Sequence, residues 1–204
     1  MTPDVQCVVA PMPVAAHLFA PPPAGAPREG VLFVGRLTRQ KGVDALLRAA
    51  ALDPSGASVT ICGSGPEETS VRALAAELGI ANRVRWLPTQ PQSRLTELYQ
   101  RAAIVAMPSH EEGLGLVAVE AGLCATPVVG FRSGGLVDVV QDGATGRLVP
   151  PGDVGALAAA LRELLAHPER ARALGDRART AAEAFTPEAA ASRYAHLYAR
   201  VLGR

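Results

Sequence analysis

Short apolar runs alternate with stretches of helix length along most of the chain. The apolar runs have strand length and lack a helical period, and they cover residues 30–34, 58–62, 84–87, 103–107, 128–130 and 146–149. The stretches between them have the length and composition of helices, at about 42–51, 67–78, 93–102, 116–124 and up to about 141. This alternation predicts an α/β domain with a Rossmann-like parallel sheet and helices on both faces.

The two ends of the chain break this alternation. Residues 1–29 are rich in proline and predict an extended lead-in or interdomain segment, with 7–9 as a candidate edge strand. After residue 153 the pattern indicates only helices, at 154–166, 168–184 and 187–202. Thr186 followed by Pro187 is typical of a helix cap. We therefore expect a Rossmann-like domain over 30–185 and a separate C-terminal helix over 186–204.

Composition narrows the classes of protein. A chain of 204 residues suits one α/β domain with appendages, and 49% hydrophobic with 4% aromatic residues indicates a core of Ala, Val and Leu. A net charge of +1 does not favour nucleic acid as a partner. No apolar run approaches the roughly 18 residues of a membrane span, and no secretory leader is indicated. Cys7, Cys62 and Cys124 lack metal-site spacing, so we expect a cytoplasmic protein that binds small molecules.

Two glutamates mark the most informative stretch, residues 108–130. Glu112 lies in a glycine-flanked loop after the strand at 103–107, and Glu120 is the one polar residue of the apolar helix that follows. A buried carboxylate is costly unless it is hydrogen-bonded, so the pair indicates a ligand site. The alternatives are that Glu120 is a core glutamate held by a backbone N–H or an arginine, and that Glu112 is a solvated loop acid.

Three predicted strand ends meet at one edge of the sheet. They carry Gly35-Arg36 with Lys41, Gly63-Ser64-Gly65, and the loop from Glu112 to Gly115. Lys41 is the chain's single lysine. Two cations beside a helix N-terminus suit a pyrophosphate group. Each feature also has an ordinary structural explanation: Arg36 as a surface ion-pair partner, Lys41 as a solvated helix start, and Gly63 to Pro66 as a tight turn.

These motifs together resemble a known family. In order along the chain they are Gly35-Arg36-Leu37 with Lys41-Gly42, Gly63-Ser64-Gly65-Pro66, Glu112-Gly113-Leu114-Gly115-Leu116-Val117 with Glu120-Ala121, and residues 143–153. The chain resembles the C-terminal, donor-binding domain of the family 4 (group 1) retaining glycosyltransferases, which have the GT-B fold. The resemblance covers roughly residues 8–202, and the Glu-x7-Glu element is its specific part.

The resemblance implies a donor site for a UDP-, GDP- or ADP-linked sugar. Arg36 and Lys41 would hold the diphosphate and Glu120 the ribose hydroxyls. Glu112, with the backbone N–H groups of Leu114, Gly115 and Leu116, would face the sugar and its phosphate. The base would lie near the turn after Gly63, which contains Gly65, and near residues 86–89, and Gly35 would also bind the donor. The donor sugar is a substrate, and neither a resident cofactor nor a metal ion is expected. His110 receives no role in the chemistry.

The same resemblance implies that a partner domain is absent. In the family an N-terminal domain binds the acceptor and forms the other wall of the cleft. The chain is therefore expected to be half of a hexosyl-transferring enzyme that is inactive alone, and the full-length enzyme could lie peripherally at the inner face of a membrane. The competing hypotheses are a stand-alone nucleotide-sugar-binding module and, less favoured, a fragment of a GT-B epimerase or phosphorylase.

Two departures from the family pattern concern the hinge and the base site. Residues 11–15 replace the usual interdomain motif, and Pro88 stands where a glycine is common. The stripe of Tyr194, Leu197, Tyr198 and Val201 on the last helix would pack on the N-terminal domain in the family. Without that domain we expect the stripe to be partly exposed, the lead-in to be loose, and the chain to dimerise or carry a mobile last helix.

Overall fold

A single parallel sheet organises the protein. The computed structural model describes residues 12–202, and in this part of the chain six strands pair in the order β3-β2-β1-β4-β5-β6. The strands are β1 (Glu29–Val34), β2 (Val59–Cys62), β3 (Val84–Leu87), β4 (Ala102–Met107), β5 (Val128–Phe131) and β6 (Gly146–Val149). All pairings are parallel, so the predicted Rossmann-like fold class is confirmed.

Eight α-helices accompany the sheet in the described residues. They are α1 (Val43–Ala51), α2 (Glu68–Glu77), α3 (Gln92–Arg101), α4 (Leu116–Leu123), α5 (Leu136–Val139), α6 (Val154–Ala166), α7 (Pro168–Ala182) and α8 (Pro187–Val201). The Asp153 side chain accepts a hydrogen bond from the Ala156 N–H, and Thr186 does the same for Ala189. The predicted Thr186 cap is therefore confirmed.

The core consists of two apolar layers, one on each face of the sheet. One layer joins β1 and β2 to α1, α2, α6 and the first half of α7. The other joins β1, β2, β4 and β5 to α3, α4, α5 and the last turn of α7. Val31 and Phe33 face the first layer and Leu32 faces the second, as the period of two in a strand requires. Apolar burial on both faces fixes the register.

The strand order creates a switch point between β1 and β4. These strands are neighbours in the sheet, with Val31 opposite Ile104, although two strands separate them in the chain. The connection after β1 runs toward β2, whereas the connection after β4 runs toward β5. A crevice forms where successive connections diverge in this way, at the carboxyl ends of the strands. The candidate site lies at this edge.

The lead-in packs more tightly than its composition predicts. Val14 and Phe19 are buried, and the Val14 N–H donates to the Phe185 carbonyl at 2.9 Å. A 3₁₀ turn spans Ala16–Leu18. The expectation of a loose lead-in is therefore wrong for residues 14–20, because the apolar side chains of Val14 and Phe19 reach the core. The candidate edge strand at 7–9 lies outside the described residues.

The C-terminal helix docks only at its start. Ala190 is buried, whereas Tyr198 is 66% and Val201 83% exposed. The predicted exposure of the α8 stripe is confirmed for these residues and for Tyr194. No helix within residues 12–202 is both long and apolar enough to cross a membrane.

Candidate active site

Two glycine loops meet at the carboxyl ends of β1 and β2. The Gly35 N–H donates to the Cys62 carbonyl at 3.0 Å, and the Gly63 N–H donates to the Leu87 carbonyl at 3.0 Å. Gly63 has φ +148°, and a Cβ added there would overlap the Gly35 carbonyl oxygen. A side chain at Gly65 would overlap the backbone of Leu37. These glycines are needed because the two loops approach backbone to backbone.

A hollow of about 370 Å³ opens beside these loops. Its wall contains Val34, Gly35, Arg36, Cys62, Gly63, Ser64, Thr89, Gln90 and Leu95. The hydroxyls of Ser64 and Thr89 lie 3.0 Å apart and close one side of it. Of the residues expected near a base, Gly63 and Thr89 lie in this wall. The Trp86 ring instead lies against the Arg72 guanidinium, 4.6 Å from its centroid, and packs on the first core layer.

Lys41 and Glu112 form a direct ion pair. The Lys41 Nζ donates to Glu112 Oε2 at 2.8 Å, and the Ser109 hydroxyl donates to the same oxygen at 3.0 Å. The Glu112 side chain is 8% exposed and that of Lys41 28% exposed. Glu112 Oε1 accepts no hydrogen bond from residues 12–202 and is not sealed from solvent. One carboxylate oxygen is thus held while the other is free for a ligand.

The loop after β5 fixes the backbone of this acidic loop. The Ser133 hydroxyl donates to the Ser109 carbonyl at 2.6 Å, and the Gly135 N–H donates to the Glu112 carbonyl at 2.8 Å. A Cβ on Gly134 would overlap the Glu112 carbonyl oxygen. On the other side, the His110 N–H donates to the Gln40 carbonyl at 2.8 Å. The Glu112 loop is therefore held by hydrogen bonds to the segments that follow both neighbouring strands, β1 and β5.

A row of free backbone donors follows Glu112. The N–H groups of residues 113–117 meet no acceptor in the described part of the chain. Gly115 has φ +66° and turns the chain into α4, so Leu116 and Val117 form the first turn of that helix. Unpaired N–H groups and the positive end of the helix dipole attract anions. The predicted donors of Leu114, Gly115 and Leu116 are present in this row.

Arg36 is an exposed cation at the end of β1. Its guanidinium makes no ion pair or hydrogen bond with any residue from 12 to 202. The ordinary explanation for Arg36, a surface ion pair, finds no partner there. An unpaired guanidinium beside a glycine loop is available to an anionic group.

Glu120 is held by a tyrosine rather than by a backbone N–H or an arginine. The Tyr99 hydroxyl, from α3, donates to Glu120 Oε2 at 2.7 Å, and Tyr99 is 0% exposed. Burial raises the pKa of Glu120, and the Tyr99 hydrogen bond offsets part of that rise. Glu120 Oε1 accepts no hydrogen bond within the described chain and is not sealed from solvent.

Half of the predicted site residues line two separate hollows. Gly35, Arg36 and Gly63 border the smaller hollow. Leu114 and Leu116 instead line a wider groove of about 960 Å³, which α7 and α8 border on the far side. The other predicted residues line neither hollow: Lys41, Glu112, Glu120, Gly65 and Gly115. The site is therefore an open edge rather than one enclosed pocket.

Three functional candidates were not predicted from the sequence: Tyr99, Ser109 and Ser133. Tyr99 belongs to an apolar set with Leu95 that reads as ordinary core. Ser109 directly precedes the acidic loop, and Ser133 begins a glycine-rich loop at another strand end. The position of the serines at carboxyl strand ends was the available signal.

Comparison with known proteins identifies the family. The model of the family described as "Glycosyl transferases group 1" matches residues 19–181. This chain belongs to the group 1 glycosyl transferases. A D-inositol 3-phosphate glycosyltransferase from Thermobispora bispora is 37% identical over 94% of this chain, and the match covers 50% of that protein. The chain thus spans about half the length of this relative.

Solved structures agree with the fold. Sucrose-phosphate synthase from Thermosynechococcus elongatus is 33% identical, with a TM-score of 0.82 over 95% of this chain and 52% of that one. Anabaena Alr3699/HepE, solved in complex with UDP and glucose, is 24% identical, with a TM-score of 0.82 over 92% of this chain and 55% of that one. At that identity the second likeness supports the fold alone. The predicted likeness to one half of a GT-B enzyme is confirmed.

Proposed function

We propose that this chain is the nucleotide-sugar-binding half of a retaining hexosyltransferase. The observation that carries the proposal is the Glu112 loop, where a carboxylate oxygen is fixed by Lys41 and Ser109 beside free N–H groups. Such a preorganised mixture of one acceptor and several donors suits a sugar hydroxyl next to a phosphate. Family membership supports glycosyl transfer as the reaction class, and the donors and acceptor of the Glu112 loop support a sugar diphosphate as the donor substrate.

Each site residue then has a separate task. Arg36 and Lys41 hold the diphosphate, and the first turn of α4 adds its N–H groups and dipole. Glu112 Oε1 accepts from a hydroxyl of the donor sugar. Glu120 accepts from the ribose hydroxyls. The base rests in the hollow beside Gly35 and Gly63, where Gly65 permits the close approach of the loops.

The chemistry asked of these residues is electrostatic. When the bond from the sugar to the diphosphate breaks, negative charge grows on the leaving phosphate. Arg36, Lys41 and the α4 dipole stabilise that charge, and no resident cofactor or metal ion is proposed. Removing one such preorganised donor typically costs about 10²–10³ in kcat in enzymes that stabilise an oxyanion.

Transfer needs an acceptor that is held in line with the donor. We propose that the acceptor site lies in a part of the enzyme outside these 204 residues, since this chain spans half the length of its relative. Positioning of two reactants supplies a large part of such rate enhancements. The name of the Thermobispora relative makes D-inositol 3-phosphate the first acceptor to test, in a protein that includes the remaining half.

Binding tests the donor assignment directly. ADP, GDP and UDP, their parent nucleosides and their glucose conjugates are titrated into the protein by calorimetry. We expect one diphosphate to bind and its nucleoside to bind at least tenfold more weakly, because each charged hydrogen bond contributes about 1.5–3 kcal/mol. Equal binding of diphosphate and nucleoside would refute the phosphate site. The anomeric configuration of the transferred sugar, read by NMR, tests retention.

A further inference from the structure

Tyr99 lies at the meeting point of the site and the lead-in. Its hydroxyl reaches Glu120, while its ring packs against Phe19 with centroids 6.0 Å apart. On α3, Thr96, one turn before Tyr99, donates to the Leu18 carbonyl at 2.6 Å, and the adjacent Gln100 donates to the Ala20 carbonyl at 2.7 Å. The hydroxyl, the ring and the helix turn of Tyr99 are therefore each held by a contact to another part of the chain.

The backbone of Tyr99 is tied to the opposite end of α4. The Thr126 hydroxyl donates to the Tyr99 carbonyl at 2.7 Å, and Arg28 donates to the Thr126 hydroxyl at 2.6 Å. Arg28 also donates to the Cys124 carbonyl at 2.9 Å. Tyr99 is thus joined to α4 through Glu120 and to the segment directly after α4 through Thr126, which fixes α3 against α4 at two places.

We propose that Tyr99 is a positioning residue for ribose recognition: it occupies Glu120 Oε2 and thereby turns Oε1 toward the ribose hydroxyls of the nucleotide. This inference rests on the proposed function and adds a residue to it. A neutral phenol orients the carboxylate without cancelling its charge. A cation in the same place would compete with the ribose for the negative charge.

The electrostatic surroundings match that task. Within residues 12–202 the titratable groups near this pair are Cys62 from β2 and Cys124 from α4, and Arg28 and Arg179 act on Cys124. None of them forms an ion pair with Glu120. Burial raises the pKa of Glu120 and the Tyr99 hydrogen bond lowers it, so loss of the hydroxyl moves the pKa of Glu120 further upward.

The test compares Tyr99→Phe with wild type, using UDP, ADP and GDP and their 2′,3′-dideoxy forms as probes. Binding of the preferred ribonucleotide should weaken about three- to tenfold, roughly the effect of one ordinary hydrogen bond, because the Glu120 carboxylate remains and only its orientation is lost. The dideoxy form should bind both proteins alike. Tyr198→Phe, which removes an exposed hydroxyl on α8, is the matched control and should change neither value.

A pH profile separates positioning from general loosening. Ribonucleotide affinity should fall as pH drops through the raised pKa of Glu120, because the protonated carboxyl accepts poorly. In Tyr99→Phe the fall should begin at a higher pH. In a Glu120→Gln background Tyr99→Phe should have no further effect on the ratio of ribonucleotide to dideoxynucleotide affinity.

The outcomes are distinct. If wild type binds none of the three nucleotides, the proposed function and this inference fail together. If wild type binds but Tyr99→Phe keeps the same affinity ratio and pH profile, this inference alone is overturned. Should Tyr99→Phe fail to fold, 3-fluorotyrosine in the intact protein replaces it. Its Tyr99 ¹⁹F signal should then shift with the ribonucleotide and stay in place with the dideoxy form, and equal shifts would overturn the inference.

Discussion

Glu112 and Glu120 lie eight positions apart in the sequence, yet their environments are opposite. Glu112 is held by a cation and a serine on one oxygen. Glu120 is held by a neutral phenol, and its pKa is raised by burial. The first carboxylate is therefore neutralised as part of an ion pair, whereas the second keeps an uncompensated charge in a partly buried place.

This difference explains how one motif, Glu-x7-Glu, can recognise two different groups, a sugar diphosphate at Glu112 and ribose hydroxyls at Glu120. A neutralised carboxylate can lie beside a diphosphate, because Lys41 removes the repulsion between two negative groups. An uncompensated carboxylate is a stronger acceptor for hydroxyl groups but would repel a phosphate. The site separates the two by one turn of loop and one turn of helix. The comparison predicts that mutations on the two sides have different signs for stability.

Lys41→Met should have the largest effect. It removes a phosphate ligand and leaves Glu112 as a nearly buried carboxylate without its cation, which is more costly than loss of the pair's attraction. We expect diphosphate binding to weaken about tenfold to a hundredfold and the free energy of unfolding to fall by roughly 1–3 kcal/mol. Calorimetry and urea denaturation measure the two quantities.

The double variant Lys41→Met with Glu112→Gln sharpens this prediction. It removes the uncompensated charge, so stability should return while diphosphate binding stays weak. Arg48→Met, an exposed cation on α1, is the matched control for loss of one positive charge and should leave both values near wild type. Recovery of binding in the double variant would contradict a phosphate role for Lys41.

Glu120→Gln should weaken binding and leave the fold intact or slightly more stable. Its folded pKa is raised, so the ionised form is disfavoured in the fold and stability falls as pH rises through the window between the ordinary and the raised value. The neutral amide keeps an acceptor for Tyr99 and removes this cost. Ribonucleotide affinity should drop about tenfold, as for a lost hydrogen bond to a charged group, with no loss of thermal stability at pH values above the raised pKa of Glu120.

A large loss of stability in Glu120→Gln would contradict the expected difference between the Glu112 and Glu120 sides. It would make Glu120 a structural residue, with Tyr99 as its structural partner. The dideoxynucleotide again provides the internal control, since its affinity should be the same in both proteins. Ribonucleotide affinity measured across the pH range distinguishes an effect of the Glu120 charge, which varies with pH, from an effect of the side chain's shape, which does not.

Ser133→Ala tests how far the Glu112 side depends on its neighbouring strand. The variant removes the donor to the Ser109 carbonyl, which is buried. We expect the free energy of unfolding to fall by about 0.5–1.5 kcal/mol, the typical net value of one hydrogen bond, and diphosphate binding to weaken by less than it does in Lys41→Met. Ser93→Ala, at an exposed position on α3, serves as control. Unchanged affinity and stability would show that the hydrogen bond from Ser133 to the Ser109 carbonyl is dispensable.

The sheet and the Glu112 side were predictable because their signals are local. Apolar runs of strand length define β3 and β6 at the bounds found, and three loops at strand ends must converge in a parallel sheet. Glu120 was predicted as a site residue too, but its partner Tyr99 was not, since Tyr99 and Leu95 form an ordinary core stripe in the sequence. The prediction for residues 14–20 was wrong because a proline-rich stretch without a helical or strand period gives no sign that Val14 and Phe19 are buried.

Substitutions on α8 should have the smallest effect on the site. Tyr198→Ser with Val201→Ser removes two exposed apolar side chains that make little contact with the domain. Exposed apolar surface favours association, so sedimentation should show a concentration-dependent dimer in wild type that the variant weakens. Nucleotide affinity should change less than twofold, because α8 touches neither glutamate. A strict monomer whose residues 187–201 exchange hydrogen slowly would contradict this and show that the helix is held by its own domain.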